Sequence, residues 1–224
     1  MQPATAMPRA AARSRPWSLL GKAEPSLLET LFPAATWAHR LLAAAIFIGI
    51  TAGLARVRFF FPDNPVPVTL QTFGVLMTGA VLGWRWGFVS IAGYYMLGMA
   101  GAPVFQGGGN GWKYVTGATG GYLMGFILST YVVGYLTQHG WSRGRALWPI
   151  VLGAIAVYLP ALVWLTVFDL GWPKPGKLWS SAVYPFVPGD LLKMVAAGLA
   201  AGLLWRIADW RRDRHGQDTN TGAR

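Results

Sequence analysis

Hydrophobic positions along this chain gather into long runs, and the polar positions are confined to short joints between them. Apolar runs occupy about 38–55, 68–82, 88–102, 120–136, 147–168 and 187–207. Each approaches the roughly 20 residues a helix needs to cross roughly 30 Å of hydrocarbon. The pattern predicts an all-α membrane protein of about six transmembrane helices. The second and third runs are separated only by Gly83-Trp84-Arg85-Trp86-Gly87, a joint tight enough to predict a helical hairpin at the membrane interface. Residues 1–36 precede the first run and read as a disordered or interfacial cytoplasmic tail. No long apolar run follows Arg9, Arg13 and Arg15 before Pro33, so a signal peptide is not expected there, although Trp17, Leu19 and Leu20 suit contact with a membrane surface. Residues 37–210 form the membrane domain, and a basic, solvated cytoplasmic tail is expected from Arg211 to the end.

Composition supports the class. Of the 224 residues 54% are hydrophobic and 12% charged, whereas a soluble domain carries about 25% charged residues. Trp, with 12 copies, and Gly, with 29, both suit spanning helices and their interfaces. A net charge of +11 would otherwise suggest nucleic acid, but most of it sits in the tails and short joints, where it reports topology. Lys22, Arg40, Arg85, Arg143, Arg145, Arg206, Arg211, Arg212 and Arg214 fall on one side, and Arg56, Arg58, Lys113, Lys174 and Lys177 on the other. The richer side faces the cytoplasm, which puts both termini there, in agreement with an even number of spans. No cysteine is present, which excludes disulfides and thiol chemistry. His39, His139 and His215 are far apart and form no His-x-x-x-His pair, so they read as interfacial or solvated.

On this topology four unusual segments all fall on the outer side. Pro65-Val66-Pro67-Val68-Thr69-Leu70-Gln71 leads into the second run. Its prolines favour an extended approach and then a helix start, Thr69 suits a cap, and Gln71 is costly to bury without a partner. Gly101-Ala102-Pro103-Val104-Phe105 continues into a glycine-rich run ending at Gly111. That run lacks the G-x-x-x-x-G-K-[ST] pattern of a phosphate loop, so no nucleotide site is expected and an outer loop or lid is. In Thr116-Gly117-Ala118-Thr119-Gly120-Gly121-Tyr122 the small residues fit either close helix packing or a ligand against exposed backbone N–H groups. Tyr122 adds an apolar ring with a polar tip. Pro185-Phe186-Val187-Pro188-Gly189-Asp190-Leu191-Leu192-Lys193 is the sharpest of the four. Asp190 and Lys193 lie three apart on one helix face. Within a span an ionisable side chain costs about 2.5–3.5 kcal/mol and therefore faces an interior. The two either pair with each other or hold a ligand. On the first run Ala45, Gly49 and Gly53 form a small-residue face, suited to packing within the chain or to docking a partner membrane protein.

Together P-V-P-V-T-L-Q-T-F-G-V-L, G-x-P-V-F, T-G-G-Y-L-x-G-F and P-F-x-P-G-D-L-L-K, in this order between about 38 and 210, resemble the BioY family of biotin transporter subunits. The resemblance implies a six-helix S-component bundle that binds biotin in an outward pocket under external loops. It also implies partners: an energy-coupling transmembrane protein and ATPase subunits, dedicated, shared or absent, with no cofactor in this chain. It places the protein in the bacterial cytoplasmic membrane. Ala45 and Gly49 are the nearest match to the family's partner-contact surface, with a glycine where an alanine is usual, and Ala118 stands where the family shows a proline. Biotin offers a ureido ring with two N–H donors and a carbonyl, an apolar bicycle and a carboxylate tail. Asp190 suits the ureido N–H groups and Gln71 or Thr119 the carbonyl. Tyr122, Phe105 and Trp112 suit the rings and tail, and Lys193 or Lys113 the carboxylate, with Thr69 and Gly120 completing the set. The assignments of Asp190 and Lys193 are open to reversal. Another vitamin is the nearest alternative, since sister S-components share the fold. An intramembrane enzyme using Asp190 lacks a second carboxylate, a metal motif and a Ser-His pair, with Ser90 and Ser129 reading as packing residues. A structural subunit with no ligand leaves the gathering of polar motifs on one side unexplained.

Overall fold

A computed structural model describes residues 23–141 and 147–221. Lys22, Arg143 and Arg145, used above for orientation, lie outside the described residues, as do Arg9, Arg13, Arg15, Trp17, Leu19, Leu20 and the His215 side chain. The described chain is mostly helical. Its elements are α1 (Leu27–Leu31), α2 (Trp37–Leu54), β1 (Arg58–Phe59), β2 (Val68–Thr69), α3 (Gln71–Met99), α4 (Trp112–Val115), α5 (Gly120–Leu136), α6 (Leu147–Val167), α7 (Leu178–Ala182) and α8 (Val187–Thr221). Four of them, α2, α3, α6 and α8 as far as Arg212, are long and apolar enough to cross a membrane. α5, at 17 residues, is about 26 Å long.

α3 is one helix in name and two in space. Gly83 sits at φ 74°, ψ −178°, a backbone state that glycine reaches without a Cβ penalty. The Gln71 side-chain amide donates to the Tyr94 hydroxyl at 2.8 Å. Residues 23 apart in a straight helix would be separated by about 35 Å, so the segment after Gly83 runs back along the one before it. This is the hairpin expected at Gly83-Trp84-Arg85-Trp86-Gly87. Its turn is held by Gln138, whose Oε1 accepts from Trp84 N at 3.0 Å and whose side-chain amide donates to the Glu24 carbonyl at 3.0 Å.

Close packing follows the small residues. A Cβ on Gly121 would lie 2.8 Å from Ala161 Cα, and one on Gly125 would overlap the Val157 backbone, so α5 and α6 meet nearly backbone to backbone. One core cluster gathers Val75, Ile91, Tyr94, Phe126 and Phe186, and a second gathers Leu76, Val133, Ile150 and Ala197. A third, of Leu27, Trp205 and Ala208, belongs to the end of α8.

The two terminal segments gain detail, and one histidine departs from its expectation. The stretch read as a tail before residue 37 contains α1. Ser26 caps it, its hydroxyl accepting from Glu29 N at 3.3 Å while Glu29 Oε2 accepts from Ser26 N at 2.9 Å. Leu27, fully buried against α8, ties the element down. The segment from Arg211 continues α8 in helical form to Thr221, with Arg212 3.6 Å from Asp209, because acidic and basic residues three apart support a helix outside the bilayer. His139 is buried, its Nδ1 2.7 Å from the Tyr135 carbonyl and its ring stacked on Tyr135. His39 remains exposed.

Candidate functional site

The two short strands pair antiparallel, Arg58 with Thr69 and Phe59 with Val68. They bring the Pro65–Gln71 segment against the first turn of α8. The prolines keep that approach extended, and the Thr69 hydroxyl accepts from Gln71 N at 3.2 Å at the start of α3. Pro188 lies in the first turn of α8, where its missing N–H costs nothing, and Asp190 in the same turn and Lys193 in the next are buried.

These two side chains form the polar centre of a cavity enclosed by α3, α5, α6, α8 and the connecting loops. Lys193 Nζ stands 2.7 Å from Asp190 Oδ1 and donates to the Thr69 carbonyl at 3.0 Å. The Tyr158 hydroxyl donates to Asp190 Oδ2. Only 8% of Asp190 and 6% of Lys193 is exposed. Removing either member of such a buried pair would strand the other, at a cost of about 3–5 kcal/mol. Aromatic rings surround the pair. Tyr122 packs against Phe186 at 5.9 Å and edge-on to Tyr158 at 6.2 Å, with its hydroxyl donating to the Ala182 carbonyl at 2.6 Å.

A loop over the cavity supplies Gln106 and Tyr114. Burial pushes the Tyr114 phenol above its ordinary pKa, partly offset by hydrogen bonding with Gln106 and Thr119 and by the Arg58 charge. The ring is therefore a neutral donor at any physiological pH. Arg58 also donates to Gln106 Oε1 at 2.8 Å, and the Arg56 guanidinium donates to the Pro103 carbonyl. Through these contacts the β1–β2 segment and the glycine-rich loop hold each other. The arrangement presents an anion acceptor, a cation, amide and hydroxyl groups and flat apolar walls within one enclosure, the set that orients an amphipathic small molecule. Among the described residues no three His, Asp or Glu side chains gather as metal ligands.

Six of the residues singled out from sequence line this cavity together: Thr69, Gln71, Thr119, Tyr122, Asp190 and Lys193. Four do not. Phe105 is fully buried behind the wall, stacked on Tyr114 at 5.0 Å and edge-on to Tyr94, because the glycine loop folds it inward against α3. Trp112 is 68% exposed, and neither it nor its exposed neighbour Lys113 lines the cavity: both ride the solvent side of α4. Gly120 is a packing residue whose Cβ would meet the Val115 carbonyl and lie 3.2 Å from the Trp164 ring. Sequence reasoning missed Tyr158, Tyr114 and Gln106. Tyr158 lies within an uninterrupted apolar run, where nothing but its hydroxyl marks it.

On α2, Ala45, Gly49 and Gly53 are all exposed, and a Cβ on Gly49 or Gly53 would meet no atom within 4 Å. This face therefore does not pack against the described residues.

The BioY family model matches residues 25–209. Among similar proteins, the probable biotin transporter BioY of Pyrococcus horikoshii is 34% identical over 165 residues, covering 73% of this chain and 94% of the relative. The biotin transporter BioY of Thermotoga maritima is 34% identical over 163 residues, with the same shares covered, and that of Rhodobacter capsulatus is 33% identical over 173 residues, covering 69% and 88%. In three dimensions the chain is similar to a crystal structure of the S-component for biotin from an ECF-type ABC transporter. The TM-score is 0.66 with 25% identity, and 77% of this chain and 95% of that one are covered.

Proposed function

Since the chain belongs to the BioY family, we propose that it is a multi-pass membrane subunit that binds biotin for uptake, a transporter component and not an enzyme. The observation that carries the reading to these residues is the buried Asp190–Lys193 pair facing an aromatic cavity. Asp190 accepts the ureido N–H groups, and Gln71 or Thr119 donates to the ureido carbonyl. Tyr122, Tyr158 and Phe186 enclose the apolar bicycle, and Lys193 turns from Thr69 to the carboxylate. The six-span topology is supported by counting the two halves of α3 separately and adding α2, α5, α6 and α8. The Lys and Arg distribution supports cytoplasmic termini in the cytoplasmic membrane, with the cavity toward the outer face. Energy comes from a coupling membrane protein with ATPase subunits, and the outward face at Ala45 and Gly49 is where such a partner docks.

Labelled-biotin binding to the full chain in nanodiscs tests the reading. Wild type binds tightly, and Asp190→Asn and Lys193→Met, each verified as folded, lose about 30-fold or more, since truncating one partner of a buried charge pair costs about 2–5 kcal/mol. Gly49→Leu keeps full binding and loses uptake in cells. Unchanged affinity in both pocket variants returns Asp190 and Lys193 to a structural pair. Absent binding by folded wild type points to a different vitamin.

A further inference from the structure

The end of the molecule away from the biotin cavity carries a second hollow. α1, the first turns of α2, the α3 hairpin turn and the end of α5 enclose a polar space of about 1030 Å³ that includes Arg40, Arg85, Trp84 and Glu29. Beside it, between α1 and α2, lies an apolar groove of about 590 Å³. Leu28, Leu31, Leu42, Ala43 and Ile46 line the groove, and Pro33 borders both spaces. On α2 the junction is one residue wide: His39 faces the groove and Arg40 the polar space.

Arg40 is incompletely served. Its Nη1 pairs with Glu29 Oε1 at 3.2 Å, but its Nε is buried with no hydrogen-bond partner. Glu29 has little more to give, because its other oxygen accepts from Ser26 N. Arg85 is exposed and lies 4.9 Å over the Trp84 ring, an arrangement that leaves its charge available at an aromatic interface. The exposed Glu24 also borders the space and is the one carboxylate there outside the Arg40 pair. Against it stand further basic residues at the same end of the chain, Arg206, Arg211 and Arg212 among them.

We infer that this joined hollow is a binding site for one anionic phospholipid, with its phosphodiester at Arg40 and Arg85 and an acyl chain in the groove along α2. The inference rests on the membrane-spanning reading and is independent of the cavity's ligand. Two features select this occupant. An anionic oxygen at the polar end meets the exposed part of the Arg40 guanidinium together with Arg85, which a hydrocarbon alone does not. A groove of aliphatic side chains continuing from that point takes a chain, which a free phosphate lacks. Basic pockets between helices at the cytoplasmic side suit anionic headgroups on the same grounds.

The test uses the purified full chain, stripped of lipid in detergent and offered phosphatidylglycerol or phosphatidylcholine with identical acyl chains, with bound lipid read by native mass spectrometry. Phosphatidylglycerol occupancy is expected to exceed phosphatidylcholine by about 5-fold, the scale of one basic side chain near an anionic headgroup. It falls by a similar factor in Arg85→Gln and in Ala43→Trp, which fills the groove. Both variants keep wild-type labelled-biotin binding, which shows them folded. Equal occupancy by the two lipids, or unchanged occupancy in both variants, overturns the proposal. Competition by inorganic phosphate with no effect of Ala43→Trp overturns it in favour of an ion site. Loss of uptake in Ala43→Trp with lipid occupancy intact overturns it in favour of a protein partner in the groove.

Discussion

At Asp190 two neighbours hold one carboxylate, Lys193 on Oδ1 and the Tyr158 hydroxyl on Oδ2. The tyrosine fixes the plane of the carboxylate and so, on the proposed reading, the direction in which a ureido ring would be met. Tyr158→Phe removes that hydroxyl and leaves the ring in place. A hydrogen bond to a charged group contributes about 1.5–3 kcal/mol, so biotin affinity should fall by about 10-fold or more while the helical circular dichroism signal stays the same. Titration calorimetry decides, and an unchanged Kd would make Tyr158 a bystander. The residues of the cavity were legible in the sequence in proportion to their cost in a bilayer. Asp190, Lys193 and Gln71 stand out because an apolar run pays for each with a desolvation penalty. Tyr158 does not, since a tyrosine in a run of Leu, Val and Ala looks the same whether it packs or binds. Phe105, Trp112 and Lys113 sit in or beside a glycine-rich loop, whose glycines at positive φ send the chain in directions that residue order does not encode.

Elements whose cause is local were read correctly. The starts of α2, α5, α6 and α8 fall within a residue of the apolar runs that predict them, because hydrocarbon length sets them. The α3 hairpin was legible from its two glycines and paired tryptophans, and it yields a prediction. Gly83→Ala places a Cβ at φ 74° and drives it into the Gln138 side chain. This backbone state, open in practice to glycine alone, costs about 1–3 kcal/mol, and displacing Gln138 also breaks its bond to Trp84. The variant should unfold at a lower temperature than wild type in the same detergent. An equal or higher midpoint would mean that the turn relaxes without Gln138. Elements whose cause is distant were not read. The β1–β2 pair exists because residues about ten apart in sequence find each other across a turn. α1 exists because Leu27 reaches Trp205 and Ala208, a contact that spans nearly the whole chain.

Over the whole molecule, composition alone separates a bilayer protein from a soluble one, and the gathering of polar motifs at one end tells which end receives a solute. The two ends differ in what they conceal. At the cavity end Asp190 and Lys193 are paired and buried, which suits a site that must exclude water. At the other end arginines and tryptophans stand at the surface, which suits contact with headgroups and partners. The exposed small-residue face of α2 joins these ends along one side. That face has no neighbours among the described residues, so no periodicity argument applied to the chain by itself could have chosen between internal packing and a partner.

The mutual embrace of Asp190 and Lys193 makes the site a conjunction. With no cargo, each charge already has its counterion, so an anion alone must outbid a carboxylate 2.7 Å away, and an N–H donor alone leaves the ammonium where it was. Only a molecule that brings both at the right separation can part them, replacing each lost bond in one event. The consequence is discrimination without a tight steric fit. Imidazolidin-2-one and pentanoate, which carry the ureido and the acid groups of biotin, should each fail to displace labelled biotin at concentrations where the intact vitamin does so fully. Their joint addition should fare no better, because the advantage lies in the covalent tie that delivers both groups together. Displacement by either fragment alone would show that one charge was free all along.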